Sequence, residues 1–270
     1  MSENPRALAP PPWLWINILS LDAPLVAVVW QALLAQSFML PLRPAARLVL
    51  GLTVWAIYLA DRILDVRTPP AGPESARHQF YRRHPWLAAG LLLLVLALDF
   101  LVILSELSPQ VVRHGLIASL GVGFYLLVFH ARRLALPIPK ELAVALLFTA
   151  GTFVVAATWA PSPTVILLAP AASFFLLCAA NLIAIECWEW RELRVEPAPH
   201  PLVRALGQAY LLWVPALALL SLAEPRSWYT AVAVSAVTLS VIHALRGQAP
   251  LELRRTLVDA ALLSPLLFLR

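Results

Sequence analysis

Runs of about 20 apolar residues follow one another along almost the whole chain, and this feature limits the possible folds more than any other. A helix of that length crosses the hydrocarbon layer of a bilayer, which is about 30 Å thick. Of the 270 residues, 61% are hydrophobic and 13% are charged, and the mean hydropathy is +0.79. A soluble domain carries about twice that share of charge. The sequence therefore predicts an integral membrane protein.

The apolar runs have the length of membrane helices, and the short alternating strands of a membrane barrel are not visible. We predict an all-α, polytopic helix bundle that forms a single domain over residues 1–270. About nine transmembrane helices are expected, at 14–39, 46–64, 85–104, 112–130, 141–160, 164–185, 203–222, 228–245 and 256–269. A polar tail at 1–12 precedes them, and the loop at 66–84 carries a short amphipathic helix in SARHQFYRRH.

Positive charge is distributed unevenly between the predicted loops. With the N-terminus in the cytoplasm, 15 of the 20 Lys and Arg residues fall on the inner side and 5 on the outer side. The positive-inside rule then predicts an inner (cytoplasmic) membrane protein with a cytoplasmic N-terminus and an external C-terminus. The net charge of +5 follows from this bias. A lipid bilayer and an anionic substrate account for that charge, so no nucleic-acid partner is expected.

Two carboxylates stand one helical turn apart where the second apolar run ends, in WAIYLADRILDVR. Asp61 and Asp65 share a helix face, and at a membrane edge they are costly unless something pairs with them. Mg²⁺ typically takes one or two protein carboxylates and completes its shell with water and phosphate oxygens. This DxxxD pattern indicates Mg²⁺ that holds a lipid diphosphate. The simpler interpretation is a solvated pair with salt bridges to Arg62 or Arg67.

A second acidic group follows the sixth apolar run, in NLIAIECWEWRELRVE, on the same predicted membrane face. On a helix, Glu186 and Glu189 share a face, whereas Glu192 lies roughly 60° further round. We expect Glu186 and Glu189 to point inward, towards the aspartate pair. Together with Glu192 they would supply a second metal site. Metal and basic groups would then stabilise the charge that develops on a diphosphate leaving group.

The chain resembles the UbiA-type intramembrane prenyltransferase superfamily. Those proteins have nine membrane helices, and two Asp-rich motifs open on the cytoplasmic side after helices two and six. Asp61 and Asp65 match the end of the first motif, and the stretch KELAVALLFTAG at 140–151 is similar to the start of the family's fifth helix. Tyr125, followed by a basic loop, and Asn181, before the second acidic group, are also similar to the family pattern.

The resemblance implies a fold, a reaction and a set of site residues. A prenyl group would pass from an isoprenoid diphosphate to a lipophilic acceptor within the membrane, with Mg²⁺ as the cofactor. The resemblance gives catalytic roles to Asp61, Asp65, Glu186 and Glu189, which would bind metal together with Glu192. The candidate substrate-binding residues are Arg62, Tyr125, Arg132, Arg133, Lys140, Asn181 and Arg191.

Departures from the family pattern leave other functions open. Ile57 and Tyr58 stand where the family carries Asn or Asn-Asp, and the second motif consists of Glu residues instead of Asp. A non-catalytic UbiA-fold protein that binds or carries a lipid is therefore an alternative. A lipid-diphosphate cyclase, which uses the same ionisation without a separate acceptor, is another. A proton-coupled transporter fits less well, because the carboxylates cluster at one membrane face and not at the midplane.

The charge bias predicts the sidedness of the chain. A reporter fused after Arg83 should be cytoplasmic, and a reporter fused after Arg270 should be outside, because the basic loops remain on the inner side. A pair of enzymatic reporters, one active in the cytoplasm and one active outside, measures both positions. Both fusions on one side would remove one crossing and contradict the predicted helix number.

Overall fold

The computed structural model describes residues 11–67, 76–128, 138–194 and 198–270. These parts of the chain contain helices and no strand, which confirms the all-α class. The α-helices are α1 (Leu14–Ile18), α2 (Asp22–Ser37), α3 (Pro44–Asp65), α4 (Ala76–Arg83), α5 (Pro85–Glu106), α6 (Pro109–Leu126), α7 (Lys140–Trp159), α8 (Pro163–Leu193), α9 (Pro201–Gln208), α10 (Tyr210–Ala216), α11 (Arg226–Ala244) and α12 (Leu251–Ala261). Short 3-10 helices lie at Leu217–Leu222, Arg246–Gln248 and Ser264–Leu267.

Several helices begin where the sequence supplies a start signal. Proline stands in the first turn of α3, α5, α6, α8 and α9, where its missing N–H is not needed. The Ser108 hydroxyl accepts a hydrogen bond from the Val111 N–H at the start of α6. These local signals place the helix boundaries close to the ends of the apolar runs.

Four described helices are long and apolar enough to cross a membrane, namely α5, α7, α8 and α11. A fifth candidate consists of α9 and the segment Tyr210–Leu222, which meet at an angle of 73°. The other predicted segments coincide with helices that are shorter or more polar, such as α2 with 16 residues. The predicted segment 256–269 is divided between the end of α12 and a 3-10 helix. The number nine therefore stays a prediction.

The N-terminal and C-terminal parts of the chain meet along α2. Asp22, at the start of α2, lies near Asp259 of α12 through a shared contact with Asn17. Near the other end of α2, the Gln36 amide donates to the Phe268 carbonyl at 2.8 Å. Since 16 helical residues span about 24 Å, the chain beyond Asp259 runs beside α2 towards its opposite end.

The core is centred on α8, which packs against α7, α9, α10, α11 and α12. Trp30 of α2 lies between Phe174 of α8 and Trp228 of α11, with ring centroids 4.9 Å from each. Both buried indole N–H groups have acceptors, at the Leu262 carbonyl and the Ser173 hydroxyl. Such ring pairs contribute about 0.5–1.5 kcal/mol each beyond the area they bury.

Helix α4 is the short helix expected in the loop at 66–84, and it covers one end of the bundle. Its Tyr81 is buried against α3 and α5, and its Phe80 meets Trp15 edge-on at 5.9 Å. Arg82 donates a hydrogen bond of 2.9 Å to the Val66 carbonyl, just beyond α3. The apolar side of α4 is thus packed on the protein. Ser75, which precedes this helix in the sequence, lies outside the described residues.

Gly207 allows a close approach of α9 to α8. A Cβ at this position would lie 2.5 Å from the Cys187 sulfur, which is closer than real side chains pack. Gly207→Ala should therefore destabilise the protein by about 1–3 kcal/mol, because extra volume in a packed core forces displacement. Thermal unfolding of the purified protein, followed by size-exclusion chromatography, measures this effect.

Gly90→Ala is the matched control, since a Cβ at Gly90 meets nothing within 4 Å. The added substitution Cys187→Ala should restore part of the stability lost in Gly207→Ala by removing the clashing sulfur. Equal melting temperatures for the two glycine variants would contradict the packing account.

Candidate functional site

A cavity of about 950 Å³ opens at the end of the bundle where the carboxylates gather. Seven helices contribute to its wall, namely α2, α3, α4, α6, α7, α8 and α12. The acidic side chains in the lining are Asp22, Asp61, Asp65, Glu141, Glu186, Glu189 and Asp259, and the Arg and Lys side chains are Arg62, Arg67, Arg77 and Lys140. Carboxylates therefore outnumber these cations by seven to four along the described wall.

The last two turns of α3 carry the aspartate pair into this cavity. The Arg62 guanidinium lies between the two carboxylates, 2.8 Å from Asp65 and 3.6 Å from Asp61. His78 of α4 lies 3.7 Å from the Asp65 carboxylate. The salt bridge allowed by the simpler interpretation of this motif is present. Both aspartates nevertheless line the cavity, as the one-turn spacing predicts.

The glutamates of α8 line the cavity too, each beside a cation. Glu186 lies 3.1 Å from the Lys140 ammonium at the start of α7. Glu189 lies 2.6 Å from the Arg255 guanidinium, which also contacts Glu252 at 2.8 Å. These are the two glutamates expected to point inward. The structure thus brings both acidic groups to one space.

Glu192 is placed differently from the other predicted metal ligands. Its carboxylate accepts hydrogen bonds from Arg254 of α12, and the Arg254 guanidinium lies 5.0 Å from the Trp188 ring centre. Glu192 and Arg191 do not belong to the described lining of the cavity. The expected metal role of Glu192 and substrate role of Arg191 are thus without a place in the described wall, because both lie further round α8.

The remaining predicted residues divide into two groups. Arg62, Tyr125, Lys140 and Asn181 all line the cavity. Arg132 and Arg133 lie outside the described residues.

The aspartates and glutamates do not form a closed metal centre by themselves. Within the described residues, no three His, Cys, Asp or Glu side chains converge closely enough to hold a metal ion. The arrangement instead offers separate carboxylates on facing helices, with space between them. Such a donor set suits a hard cation that keeps water or substrate oxygens in its shell.

Four of the Asp, Glu, Arg and Lys residues in the cavity wall had no assigned role in the sequence analysis, namely Asp22, Arg77, Glu141 and Asp259. Asp22 carries a signal that could have found it, because an acid within an apolar run points to a buried polar site. Asp259 lies 237 residues further along the chain, and only the tertiary fold brings the two together. The sequence gives no local sign of that contact.

Arg77 reaches the cavity from α4, above the ends of the longer helices. Burial lowers the pKa of the Arg77 guanidinium below its ordinary value, and the nearby charge of Arg62 lowers it further. Asp22 and Glu189 act in the opposite direction. Arginine remains charged through such shifts. Its Nε–H, like that of Arg62, is buried and has no acceptor among the described protein atoms.

A second, smaller cavity of about 200 Å³ adjoins the first. It lies between α3, α5, α6 and α7, and most of its wall is aliphatic. The two cavities share Ile57, Tyr58, Tyr125, Val144 and Phe148 in their walls. The cavity with the charged side chains and the aliphatic cavity are therefore neighbours, with two tyrosines at their junction.

Comparison with protein-family models, with curated proteins and with solved structures finds no significant match for this chain.

The two classes of glutamate on α8 should respond differently to neutralisation. Glu192→Gln should destabilise the protein by about 1–3 kcal/mol, because it leaves the buried Arg254 without its charged partner. Glu186→Gln should change stability by less than about 1 kcal/mol, since its Lys140 partner is largely exposed. Thermal unfolding of both variants in the same detergent tests the difference. A Glu192→Gln variant that unfolds at a higher temperature than the Glu186→Gln variant would contradict the structural role of the Glu192–Arg254 pair.

Proposed function

We propose that this protein transfers a prenyl group from an isoprenoid diphosphate to a lipophilic acceptor within the membrane, in an Mg²⁺-dependent reaction. One observation carries the proposal. The carboxylates of α3 and α8 share one cavity with Arg and Lys side chains, and that cavity adjoins an apolar one with which it shares five wall residues. A prenyl diphosphate has the same division into a charged head and an apolar tail.

The residues present fit magnesium. Mg²⁺ usually binds proteins through one or two carboxylates and takes its other ligands from water and substrate phosphates. Asp61 and Asp65 would hold one ion, and Glu186 and Glu189 would hold a second. The surplus of carboxylates over cations in the wall favours divalent cations. When bound, Mg²⁺ would withdraw charge from the diphosphate and make it a better leaving group.

The basic residues of the cavity are suited to the diphosphate itself. Arg62 and Arg77 each offer a buried N–H that lacks an acceptor among the described protein atoms, and Lys140 adds a positive charge. Charged donors of this kind bind phosphate oxygens more strongly than neutral donors do. As the C1–O bond of the substrate breaks, negative charge grows on the leaving oxygens, and these groups would meet it.

The apolar cavity would take the prenyl chain, and the junction would take its reactive carbon. Tyr58 and Tyr125 belong to the walls of both cavities. Aromatic rings attract positive charge through their faces, which suits an allylic cation. The aliphatic wall beyond them would exclude water from the tail.

A UbiA-like arrangement of nine passes and the predicted sidedness belong to the same proposal. The ends of α3 and α8 and the starts of α2 and α7 all reach one cavity. Phe268, close to the C-terminus, contacts Gln36 near the far end of α2. An odd number of membrane passes would place the two ends of the chain on opposite sides of the membrane, in agreement with these positions. It agrees with an N-terminus in the cytoplasm, a C-terminus outside, and a cavity that opens to the cytoplasm.

A non-catalytic lipid carrier is the second candidate, and one observation favours it. Arg62 already neutralises Asp65 at 2.8 Å and lies 3.6 Å from Asp61, so the motif is satisfied without metal. The residue at position 58 also favours the carrier, because Tyr58 stands where the family carries a potential Asn ligand. A carrier would bind a prenyl diphosphate equally well with and without Mg²⁺.

Magnesium dependence therefore separates the two candidates. With purified full-length protein, Mg²⁺ should tighten the binding of farnesyl thiodiphosphate, an unreactive analogue, by at least about tenfold. Asp61→Asn and Asp65→Asn should each remove this effect, and each should lower diphosphate release from farnesyl diphosphate by about 100-fold or more. Isothermal titration calorimetry and a diphosphate-release assay provide the two measurements.

Asp99→Asn is the matched control for these variants. Asp99 is a buried aspartate of α5 that accepts a 2.7 Å hydrogen bond from Thr53 and does not line the described cavity. Its neutralisation should leave the Mg²⁺ effect unchanged. Analogue binding that ignores Mg²⁺ in the unmodified protein would rule out the transferase and favour the carrier.

A further inference from the structure

Three arginines gather outside the cavity, where the ends of α8 and α11 meet the start of α9. Arg246, just beyond α11, donates a 2.8 Å hydrogen bond to the His243 carbonyl. His243 packs against Trp188 of α8, with ring centroids 5.7 Å apart. Arg191 stands one turn beyond Trp188 on the same side of α8. The charges of Arg191 and Arg246 both act on the His243 imidazole, so the two arginines flank one contact between helices.

Arg204 of α9 is the third arginine at this junction. Its guanidinium lies 5.9 Å from the ring centre of Trp190, the residue before Arg191. The carbonyl of Val203, its neighbour in the chain, lies 3.8 Å from the Cys187 sulfur. Cys187 and Arg191 are four residues apart and share a face of α8. The arginine cluster therefore consists of Arg191, Arg204 and Arg246.

The arginine cluster has no acidic partner among the described residues. No carboxylate in that part of the chain lies within salt-bridge distance of it, whereas the two arginines of α12 each pair with a glutamate of α8. The Nε–H of Arg204 is also buried without an acceptor there. All three arginines are exposed or half-buried, so a ligand can reach them. Grouped like charges repel beside a low-dielectric bundle, and the cluster therefore favours an anionic ligand.

An exposed apolar stripe on α11 leads to the cluster. Val237, Val241 and Leu245 recur at four-residue spacing on one face, and each is about half exposed. Arg246 follows Leu245 directly. Helix α11 is long and apolar enough to cross a membrane, so this stripe would face acyl chains. A charged end above an apolar stripe matches a phospholipid, which joins a phosphate to acyl chains.

We propose that the arginine cluster binds the phosphate headgroup of an anionic phospholipid, with one acyl chain of that lipid along the stripe. None of the three arginines belongs to the described wall of the large cavity, so this site is separate from it. The inference does not depend on the proposed transferase reaction. A zwitterionic lipid carries a cation beside its phosphate and would leave the charge of the cluster uncompensated. A soluble phosphate compound would gain nothing from the stripe.

The test compares two lipids that share their acyl chains and differ in the headgroup. Purified full-length protein in a neutral detergent is titrated separately with dioleoylphosphatidylglycerol and dioleoylphosphatidylcholine, and native mass spectrometry measures the bound fraction. The unmodified protein should bind the first molecule of phosphatidylglycerol at least about tenfold more tightly than phosphatidylcholine. Combined Arg191→Gln, Arg204→Gln and Arg246→Gln substitutions should bring this ratio close to one, because they remove the charge that selects the anionic headgroup.

The matched control removes the same amount of charge elsewhere. Arg43, Arg47 and Arg113 are exposed and fall on the predicted outer side, and Arg43→Gln, Arg47→Gln and Arg113→Gln together should keep the full preference. Equal binding of the two lipids by the unmodified protein overturns the inference, even where the cluster variant cannot be purified. An equal loss of preference in the cluster and control variants shows a response to net charge alone and overturns it as well.

Glycerol 3-phosphate distinguishes a lipid site from a site for soluble phosphate compounds. It carries the phosphate of the lipid without the acyl chains. At the same concentration as the lipid, it should leave the bound phosphatidylglycerol in place, since only the lipid contacts the apolar stripe. Displacement of the lipid at equal concentration would indicate a site for soluble phosphate and overturn the lipid assignment.

Discussion

The burial of charge at one end of an apolar bundle is the constraint on which the rest of this structure depends. A carboxylate removed from water is destabilising unless a cation or several donors compensate for it. Helices α3 and α8 each end in such groups, and the bundle satisfies them by bringing those ends together with Lys140, Arg62 and Arg255. The need to match these charges favours one relative placement of the helices, because a shifted helix would leave a buried charge without its partner.

Compensation of this kind also explains why α12 belongs to the site. Arg254 and Arg255 are almost fully buried, and they join α12 to Glu192 and Glu189 of α8. Buried ion pairs of this type add little net stability, but removal of one partner is strongly destabilising. They fix the register of α12 against α8. One turn further along α12, that register places Asp259 at the wall of the cavity.

Local sequence patterns predicted the parts of the site that lie on a single helix. The four-residue spacing of Asp61 and Asp65 and the three-residue spacing of Glu186 and Glu189 each define one face, and both pairs line the cavity. Glu192 lies further round the helix from that face and pairs with Arg254 instead. Contacts between distant parts of the chain were not predictable in this way.

The helix number shows the same limit of local patterns. Hydropathy measures the length and apolarity of a run, and on that basis α5, α7, α8 and α11 qualify clearly. Helix α3 carries Asp61, Arg62 and Asp65 in its last turns and does not qualify, whereas α7 and α8 carry their charged cavity residues near one end and still qualify. Charged site residues thus weaken the hydropathy signal of α3 but do not hide α7 and α8.

The cavity combines hydrogen-bond donors and acceptors, and this combination would orient a diphosphate substrate. Its wall holds the buried N–H donors of Arg62 and Arg77 and the oxygens of Asp22, Asp259 and Asn181. A diphosphate close to these carboxylates would meet like charge, which at 4 Å costs about 4 kcal/mol per charge pair near a protein surface. The head of the proposed substrate would therefore be favoured near the arginines, and its tail would fit the neighbouring apolar cavity between α3, α5, α6 and α7. Repulsion from the carboxylates would thus act together with attraction to the arginines in placing that substrate.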